Sequence, residues 1–352
     1  MKRKSIALLL ALSMCLSLLS ACGSGNTATD DKPSESENAA SSTEQPEESE
    51  KPEESTEQPE ESAEPTQEPE QEQTEESTEP EPAVPAEMTY TFDAATGTLT
   101  CSGGGEVTQE DWVEVVKNTL FETDYNKATA EVKKAVVERG VTSLGKGAFY
   151  RCENLVEITL PDTLTSIGGR AFIGDPLTSI AIPESVTEIG YQAFQQCQTL
   201  SNVNLPGGLT EISDQLFNGC TNLTSIEIPK GVTRIGETAF MRTGLTELTI
   251  PEGVTAIESG FIAATPITSI TLPASLTEWD IGFYNNDDLT DITFLCEATM
   301  DNVQSLVGYV LEEGTYYNHP ITVHASAGSV IEGYINRQLQ NGMTGVTFVP
   351  ID

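Results

Sequence analysis

Histidine occurs only twice, at His319 and His324, both near the C-terminus. A zinc centre needs further His, Cys or acid ligands at matched spacing, and the sequence places none around this pair. Positive charge is scarce as well: 17 Lys and Arg stand against 55 Asp and Glu, for a formal net charge of −38. No run of cations forms a basic stripe or patch, which argues against nucleic acid and against direct adsorption to anionic lipid. There is no Gly-x-Ser-x-Gly elbow and no glycine-rich phosphate loop. Ser329, close to His324, opens Ser329-Val-Ile-Glu332, the pattern of a capping box at a helix start rather than of a nucleophile. With no convergent catalytic groups, the chain reads as a non-enzyme, with no cofactor and no metal. Long apolar runs are missing too, since the stretch from Ile6 to Leu19 is short for a spanning helix and broken by serines.

That stretch has a different meaning. Lys2, Arg3 and Lys4 precede it and Leu19-Ser-Ala-Cys22-Gly follows, so residues 1–22 read as a secretory signal. Its end resembles a lipobox, in which Cys22 is diacylated and becomes the new first residue; an unmodified cleavage site is the plainer alternative. Two acyl chains, at about 0.8 kcal/mol per buried CH₂, hold a protein to a membrane where one does not.

From Gly23 to Met88 the chain is mostly Glu, Pro, Ser, Thr and Gln, and 22 acids face only Lys32 and Lys51, a net charge of −20. Such a segment cannot bury enough apolar surface to fold alone. Like-charge repulsion and proline extend it, to an upper reach of about 200 Å at roughly 3.1 Å per residue. It reads as a spacer; a cation-binding or partner-binding tail is the alternative, for which no ordered motif exists. Residues 89–352 hold 33 acids and 12 Lys or Arg, so the folded part is itself at −21.

Between Val132 and residue 294 one pattern returns about seven times with a period of 21 to 23 residues. Its clearest copy is Leu223-Thr-Ser-Ile226-Glu-Ile228-Pro229-Lys-Gly-Val232-Thr-Arg-Ile235-Gly236-Glu-Thr-Ala239-Phe240. The aromatic position recurs at Phe149, Phe172, Phe194, Phe217, Phe240, Phe261 and Phe283, and the proline at Pro161, Pro183, Pro206, Pro229, Pro251 and Pro273. A fixed period of this length predicts a solenoid of stacked coils, none of which buries its apolar face alone. Leu-x-x-Ile-x-Ile predicts a short strand with its apolar residues inward, proline marks a corner, and Val-Thr-x-Ile predicts a second strand. That strand is expected to stop at Gly145, Gly168, Gly190 and Gly236, where a positive φ costs little. Ser213, Glu258 and Asp280 replace the glycine in other copies, so their turns are expected to differ. Coils roughly 4.8 Å apart stack the Phe rings into a spine.

This repeat, Leu-x-x-Ile-x-Ile-Pro-x-x-Val-Thr-x-Ile-Gly-x-x-Ala-Phe-x-x-Cys, closely resembles the BspA-like (TpLRR-type) leucine-rich repeat of bacterial surface proteins. Tyr90-Thr-Phe-Asp-Ala-Ala-Thr-Gly97-Thr-Leu-Thr-Cys-Ser-Gly103 resembles the hairpin that opens such domains. Ile321-Thr-Val-His-Ala-Ser-Ala-Gly-Ser329-Val-Ile-Glu332-Gly-Tyr334 resembles their closing strand and helix. The resemblance implies a mainly-β leucine-rich-repeat solenoid of short parallel strands, with an N-terminal hairpin and helix cap and a C-terminal strand-helix-strand cap. It also implies an adhesive role, whereas the scaffold itself specifies no ligand. The expected organisation is a signal over 1–22, an acidic linker over 23–88, an N-terminal cap over 89–131, repeats over 132–294 and a C-terminal cap over 295–352. Trp112, Val115, Val116, Leu120 and Phe121 have helical spacing and are expected to lie over the first coil.

Cys152, Cys197 and Cys220 hold one equivalent position per coil, with Asp175 there in the coil between the first two. Cys197 and Cys220 lie on adjacent coils, where the Cα spacing allows a disulfide but parallel side-chain vectors disfavour it, so they read as buried free thiols, with a bridge as the alternative. Cys101 falls on an inward position of the hairpin and Cys296 follows the last strand. Asn285-Asn-Asp-Asp288 lacks the alternation of a calcium loop and reads as a turn. Trp279, Tyr316 and Tyr317 are either contact anchors or, for Trp279, a cap on the last Phe of the spine.

The strand faces remain as candidates for binding. Thr178, Ser201, Asn202, Thr224, Ser225, Thr246, Glu247, Thr268 and Ser269 fall in register on the outward side of the first strand. Thr187, Glu188, Thr210, Glu211, Thr233, Arg234, Thr277 and Glu278 do so on the second. Such surfaces suit an extended protein or glycan ligand, although exposed threonine is also simply a good strand former. The expected protein is lipid-anchored on the extracellular side of a bacterial membrane, touches the membrane only through that anchor, and binds a protein or glycan in adhesion to host or neighbouring cells. A structural component of the envelope with a partner from its own cell is the alternative.

Overall fold

The computed structural model describes residues 87–283, 285–298, 320–341 and 344–351. The signal, Cys22, the acidic linker, Tyr316, Tyr317 and His319 lie outside the described residues.

Thr89–Asp93 pairs antiparallel with Thr98–Ser102 to open the domain. The Asp93 carboxylate accepts from the Ala95 N–H and the Thr96 hydroxyl and shapes the turn. Gly97 has φ +70, and a Cβ there would stand 2.7 Å from the Glu131 carbonyl. Every later pairing among the described strands is parallel, as one strand per coil stacked on the next requires. The first-strand column includes Lys134–Val137, Glu157–Thr159, Ser179–Ala181, Asn202–Asn204, Ser269–Leu272 and Asp291–Phe294. The second includes Val141–Leu144, Ser166–Ile167, Glu188–Ile189, Glu211–Ile212, Arg234–Ile235, Ala256–Ile257 and Glu278–Trp279. The molecule is a mainly-β solenoid, and Ile-on-Ile registers such as Ile212, Ile235 and Ile257 form its interior.

The threonine of Val-Thr-x-Ile is exposed in every coil, at Thr142, Thr165, Thr187, Thr210, Thr233, Thr255 and Thr277. In every one of these coils but those of Thr187 and Thr210 it serves the backbone. The hydroxyl of Thr165 donates to the Thr142 carbonyl at 3.0 Å, Thr233 to Thr210 at 3.2 Å, Thr255 to Thr233 at 3.2 Å and Thr277 to Thr255 at 3.3 Å. Each such carbonyl also takes the ladder N–H, so both of its lone pairs are used.

The glycines that end the second strand are there for a reason other than the one expected. Gly145, Gly168, Gly190 and Gly236 are absent from the positive-φ residues. They are small because coils approach closely: a Cβ on Gly190 would lie 2.4 Å from the Gly169 nitrogen, and one on Gly168 would lie 2.6 Å from the Gly145 carbonyl carbon. Positive φ falls instead two residues before and two after the spine residue, at Arg151, Arg170, Gln192, Gln196, Gln215, Thr238 and Arg242 among others.

The spine forms, and it begins one ring earlier than the repeats. Trp112 stacks on Phe149 at 5.9 Å, and Phe149, Phe172, Phe194, Phe217 and Phe240 follow at 5.6, 5.3, 5.6 and 5.9 Å with planes within 10°. In the next coil the expected Phe261 is displaced by Ile262. The Phe240 N–H bonds the Phe261 carbonyl just as the Phe217 N–H bonds that of Ala239, so Phe261 stands in the alanine position. Thr265 bonds the Ile262 carbonyl as Thr243 bonds that of Phe240. Both residues are buried, and the aromatic stack ends there.

Helix α1 (Gln109–Leu120) covers the first coil, capped by the Thr108 hydroxyl on the Asp111 N–H, with α2 (Tyr125–Ala130) behind it. The Trp112 indole N–H donates to the Ala148 carbonyl at 2.7 Å, and Gln109 donates to Tyr150 at 2.8 Å. Trp112 and Val116 are buried, with Val115 and Leu120 partly so. Phe121 is the exception: it lies past the helix end at φ 56 and is 95% exposed. At the other end, Ile321–Ser326, α3 (Val330–Gln340) and Val346–Ile351 close the sheet of Ser269–Leu272 and Asp291–Phe294. Trp279 occupies the isoleucine column opposite Ile257, with its ring 5.7 Å from Phe294.

Candidate interaction faces

Two outer faces carry the strands, and they differ in how their side chains are engaged. On the first-strand face Thr178, Ser201, Asn202, Thr224, Ser225, Thr246, Glu247, Thr268 and Ser269 are all exposed. Asn202 pairs with Ser179, and the Ser201 N–H donates to the Thr178 carbonyl at 3.0 Å, which sets the register. Among these nine, only the Ser201 side chain hydrogen-bonds within the described fold, to that same carbonyl at 3.2 Å. The threonines of the second-strand face are, by contrast, largely committed to carbonyls.

The first-strand column forms no ladder over 223–228 and 245–250, unlike its neighbours on either side. Ile226 is only partly buried, while Ile180, Leu248 and Ile270 in the same position are buried. A shallow depression of about 610 Å³ lies along this seam, lined by Ser201, Asn202, Val203, Ser225, Ile226 and Glu227. A second, of about 420 Å³, lies on the other face between Thr187-Glu188-Ile189 and Gly208-Leu209-Thr210-Glu211.

On the second face Arg234 gathers three acids from the coils on either side of its own, with Glu211 at 3.3 Å, Asp214 at 2.6 Å and Glu258 at 2.7 Å. Burial works against its charge, but the hydrogen bonds and charges of Asp214 and Glu258 outweigh it and hold the guanidinium above its ordinary value. Arg234 is thus a clamp between coils rather than a free contact residue.

One buried position after each spine residue is polar: Cys152, Asp175, Cys197, Cys220, Thr243, Thr265 and Asn286. The thiols of Cys197 and Cys220 donate to the Phe172 and Phe194 carbonyls at 2.9 and 3.1 Å. Cys101, Cys152, Cys197, Cys220 and Cys296 are all free and buried. Burial pushes the Cys101 and Cys220 thiols up to about 12, the wrong direction for a thiolate nucleophile. Asn286 donates to Ile262 and Thr265 at 3.0 Å and accepts from the Ala264 N–H at 3.2 Å, so this part of the Asn285–Asp288 run is a structural turn. Asp175 accepts the Cys152 N–H at 2.8 Å through Oδ1, while Oδ2 is buried without a partner. Burial holds its carboxyl well above the carboxylate range.

Ser329 caps α3 by accepting the Glu332 N–H at 3.2 Å, and Glu332 reaches back to the Gly328 N–H at 2.6 Å. His324 sits in a strand, 3.5 Å from Asp291. Among the described residues no three His, Cys, Asp or Glu gather in a metal-binding group.

Stacking also creates a feature that the linear sequence concealed. Lys146 and Arg170 stand 24 positions apart, yet both lie over the Tyr191 ring, at 5.8 and 5.2 Å from its centroid. Tyr191 is 39% exposed and lies across Gly169, where a Cβ would meet the ring at 2.6 Å. Stacking thus brings together, on the loop side of the first coils that carries the spine residues, two cations that the linear sequence keeps apart.

The BspA type leucine rich repeat region matches in six copies, over residues 122–242 and 210–309. Among solved structures, a leucine-rich repeat protein from Bacteroides ovatus is 22% identical, with 60% of this chain and 70% of that chain covered and a TM-score of 0.38. One from Eubacterium ventriosum is 19% identical over 69% and 78%, with a TM-score of 0.37. A leucine rich cell surface protein from Faecalibacterium prausnitzii is 24% identical over 62% of this chain and 56% of that one, with a TM-score of 0.35. No curated protein matches the chain. With the repeat matched across more than half of its length and the solenoid built as that repeat requires, the chain belongs to the BspA-type leucine-rich-repeat family.

Proposed function

We propose that this is a lipid-anchored bacterial surface protein that binds protein or glycan ligands through its first-strand face, in adhesion to host or neighbouring cells. The observation that carries the reading is the contrast between the two faces. Thr178, Asn202, Thr224, Ser225, Thr246, Glu247, Thr268 and Ser269 present side chains in register that hold nothing within the described fold. Exposed, uncommitted hydroxyl and amide groups on a rigid ladder suit shallow, repeated contacts with an extended ligand. The lipobox-like Leu19-Ser-Ala-Cys22 and the acidic segment after it supply an anchor and a spacer.

The test is saturable binding of the purified protein to arrayed host matrix proteins, mucins and bacterial envelope fractions. The control is a variant with Thr224, Ser225, Thr246 and Glu247 changed to lysine. Host binding that is lost in the variant supports adhesion through this face. Binding confined to the bacterium's own fractions replaces adhesion with a structural role in the envelope. Incorporation of a labelled fatty acid, abolished by Cys22→Ser, tests the anchor separately.

A further inference from the structure

We propose that Lys146, Arg170 and Tyr191 form a subsite for an acidic glycan on the aromatic-loop side of the first coils. The inference goes beyond the proposed function and concerns a different face, so either can fail alone.

Charge is the first argument. Lys117, Lys127, Lys134, Arg139 and Arg234 are each paired with a carboxylate. Lys146 and Arg170 form no ion pair among the described residues; both lie against one exposed tyrosine ring instead. Lys133, Arg151, Lys230, Arg242 and Arg337 form no ion pair among the described residues either, so what sets Lys146 and Arg170 apart is that the two share one aromatic ring. The surrounding negative charge does not erase them, because the Debye length is about 8 Å at physiological salt.

Construction is the second. Gly169 leaves the space that the Tyr191 ring occupies under the two cations. Arg170 takes the positive φ of its place in the repeat, at 64°, as Gln192, Gln215 and Thr238 do in later coils. Its Nε donates to Gln192 at 2.7 Å, and Gln192 donates in turn to Gln215 at 2.7 Å. The guanidinium is therefore oriented from one side, while its two terminal nitrogens make no hydrogen bond in the described fold. A fixed fork beside an ammonium matches a carboxylate or sulfate. The part of Tyr191 that stays exposed beside them, 39% of the residue, offers apolar surface to a sugar ring. Together they favour a polysaccharide carrying uronate or sulfate groups over an acidic peptide, whose flexible side chains gain nothing from the ring.

The purified protein is titrated at 0.15 M salt with chondroitin sulfate, hyaluronate, polyglutamate and dextran. Both acidic glycans are expected to bind. Loss of one charge-assisted contact in Lys146→Ala or Arg170→Gln should weaken them by about ten- to a hundredfold. Tyr191→Ala should weaken them as well, while Arg337→Gln, at the far end of the chain, leaves them unchanged. Unaltered thermal melting confirms that each variant is folded. The assignment is overturned by no glycan binding, by equal binding of polyglutamate, or by equal loss in the Arg337 variant.

Discussion

The hydroxyl of Ser213 donates to the carbonyl of Ile189, taking the place that a backbone N–H holds elsewhere in the second-strand column. Gly168, Gly190, Gly236, Glu258 and Asp280 reach the equivalent carbonyl through their own N–H at 2.7 to 3.1 Å. The ladder is interrupted here: Glu188–Ile189 ends one sheet and Glu211–Ile212 begins the next. The same coil carries Leu216 where its neighbours carry Ala193 and Ala239, and the gap on the opposite face follows it directly. Backbone amides at Thr210 and Glu211 should therefore exchange with deuterium faster than those at Thr233 and Arg234. Equal protection along the column would mean that the ladder is continuous in solution.

Asp175 should make stability fall as pH rises. Burial raises its folded carboxyl above the ordinary value of 3.8. Between that value and the raised one the native chain holds a proton that the unfolded chain has released. The stabilisation is complete below the unfolded value and is lost on the way up to the folded one. Asp175→Asn keeps an acceptor for the Cys152 N–H and needs no proton, much as Asn286 serves its own coil. The variant should gain about 1–3 kcal/mol at pH 8 and little at pH 4, read from paired melting curves. A variant less stable than wild type at pH 8 would show that the carboxylate has a partner in solution.

Trp112 closes the end of the spine, and its removal leaves the Phe149 ring uncovered. Trp112→Ala should cost about 3–5 kcal/mol and bring on aggregation during unfolding. Denaturant titration measures the first and light scattering the second; a loss below 1 kcal/mol would deny α1 its capping role.

Arg234 neutralises three partly exposed acids, so Arg234→Ala should destabilise by about 1 kcal/mol, less at high salt as the remaining repulsion is screened. Melting in 0.05 M and 0.5 M sodium chloride checks both parts. A loss independent of salt would assign the effect to packing of the arginine stem.

The coils, the corners and both caps were legible because their signals repeat or rest on local rules: proline removes a donor, and Ser329 with Glu332 closes a helix start. Readings failed where a residue type had two physical uses. Phe261 and Ile262 are both apolar neighbours, and aromatic spacing alone selected the wrong one. Thr265 three residues after Ile262, and Gly260 two before it at φ 66, carried the true register. The glycines after the second strand serve close approach rather than positive φ, which a sequence does not distinguish. Phe121 fitted the helical stripe but falls after the last turn. Lys146 and Arg170 meet only through stacking, and Gly169 beside them, in the position that Tyr191 fills one coil later, was the available clue.

Two faces of one solenoid, one uncommitted and one occupied with its own backbone, make the central claim directly measurable. The bound ligand found in the array is titrated against wild type, the Thr224/Ser225/Thr246/Glu247 lysine variant, and a matched variant with lysine at Thr165, Thr233, Thr255 and Thr277. The account predicts that the first variant loses binding while the second, provided it melts like wild type, retains it. Loss in the second variant with binding intact in the first would place recognition on the other face and contradict it.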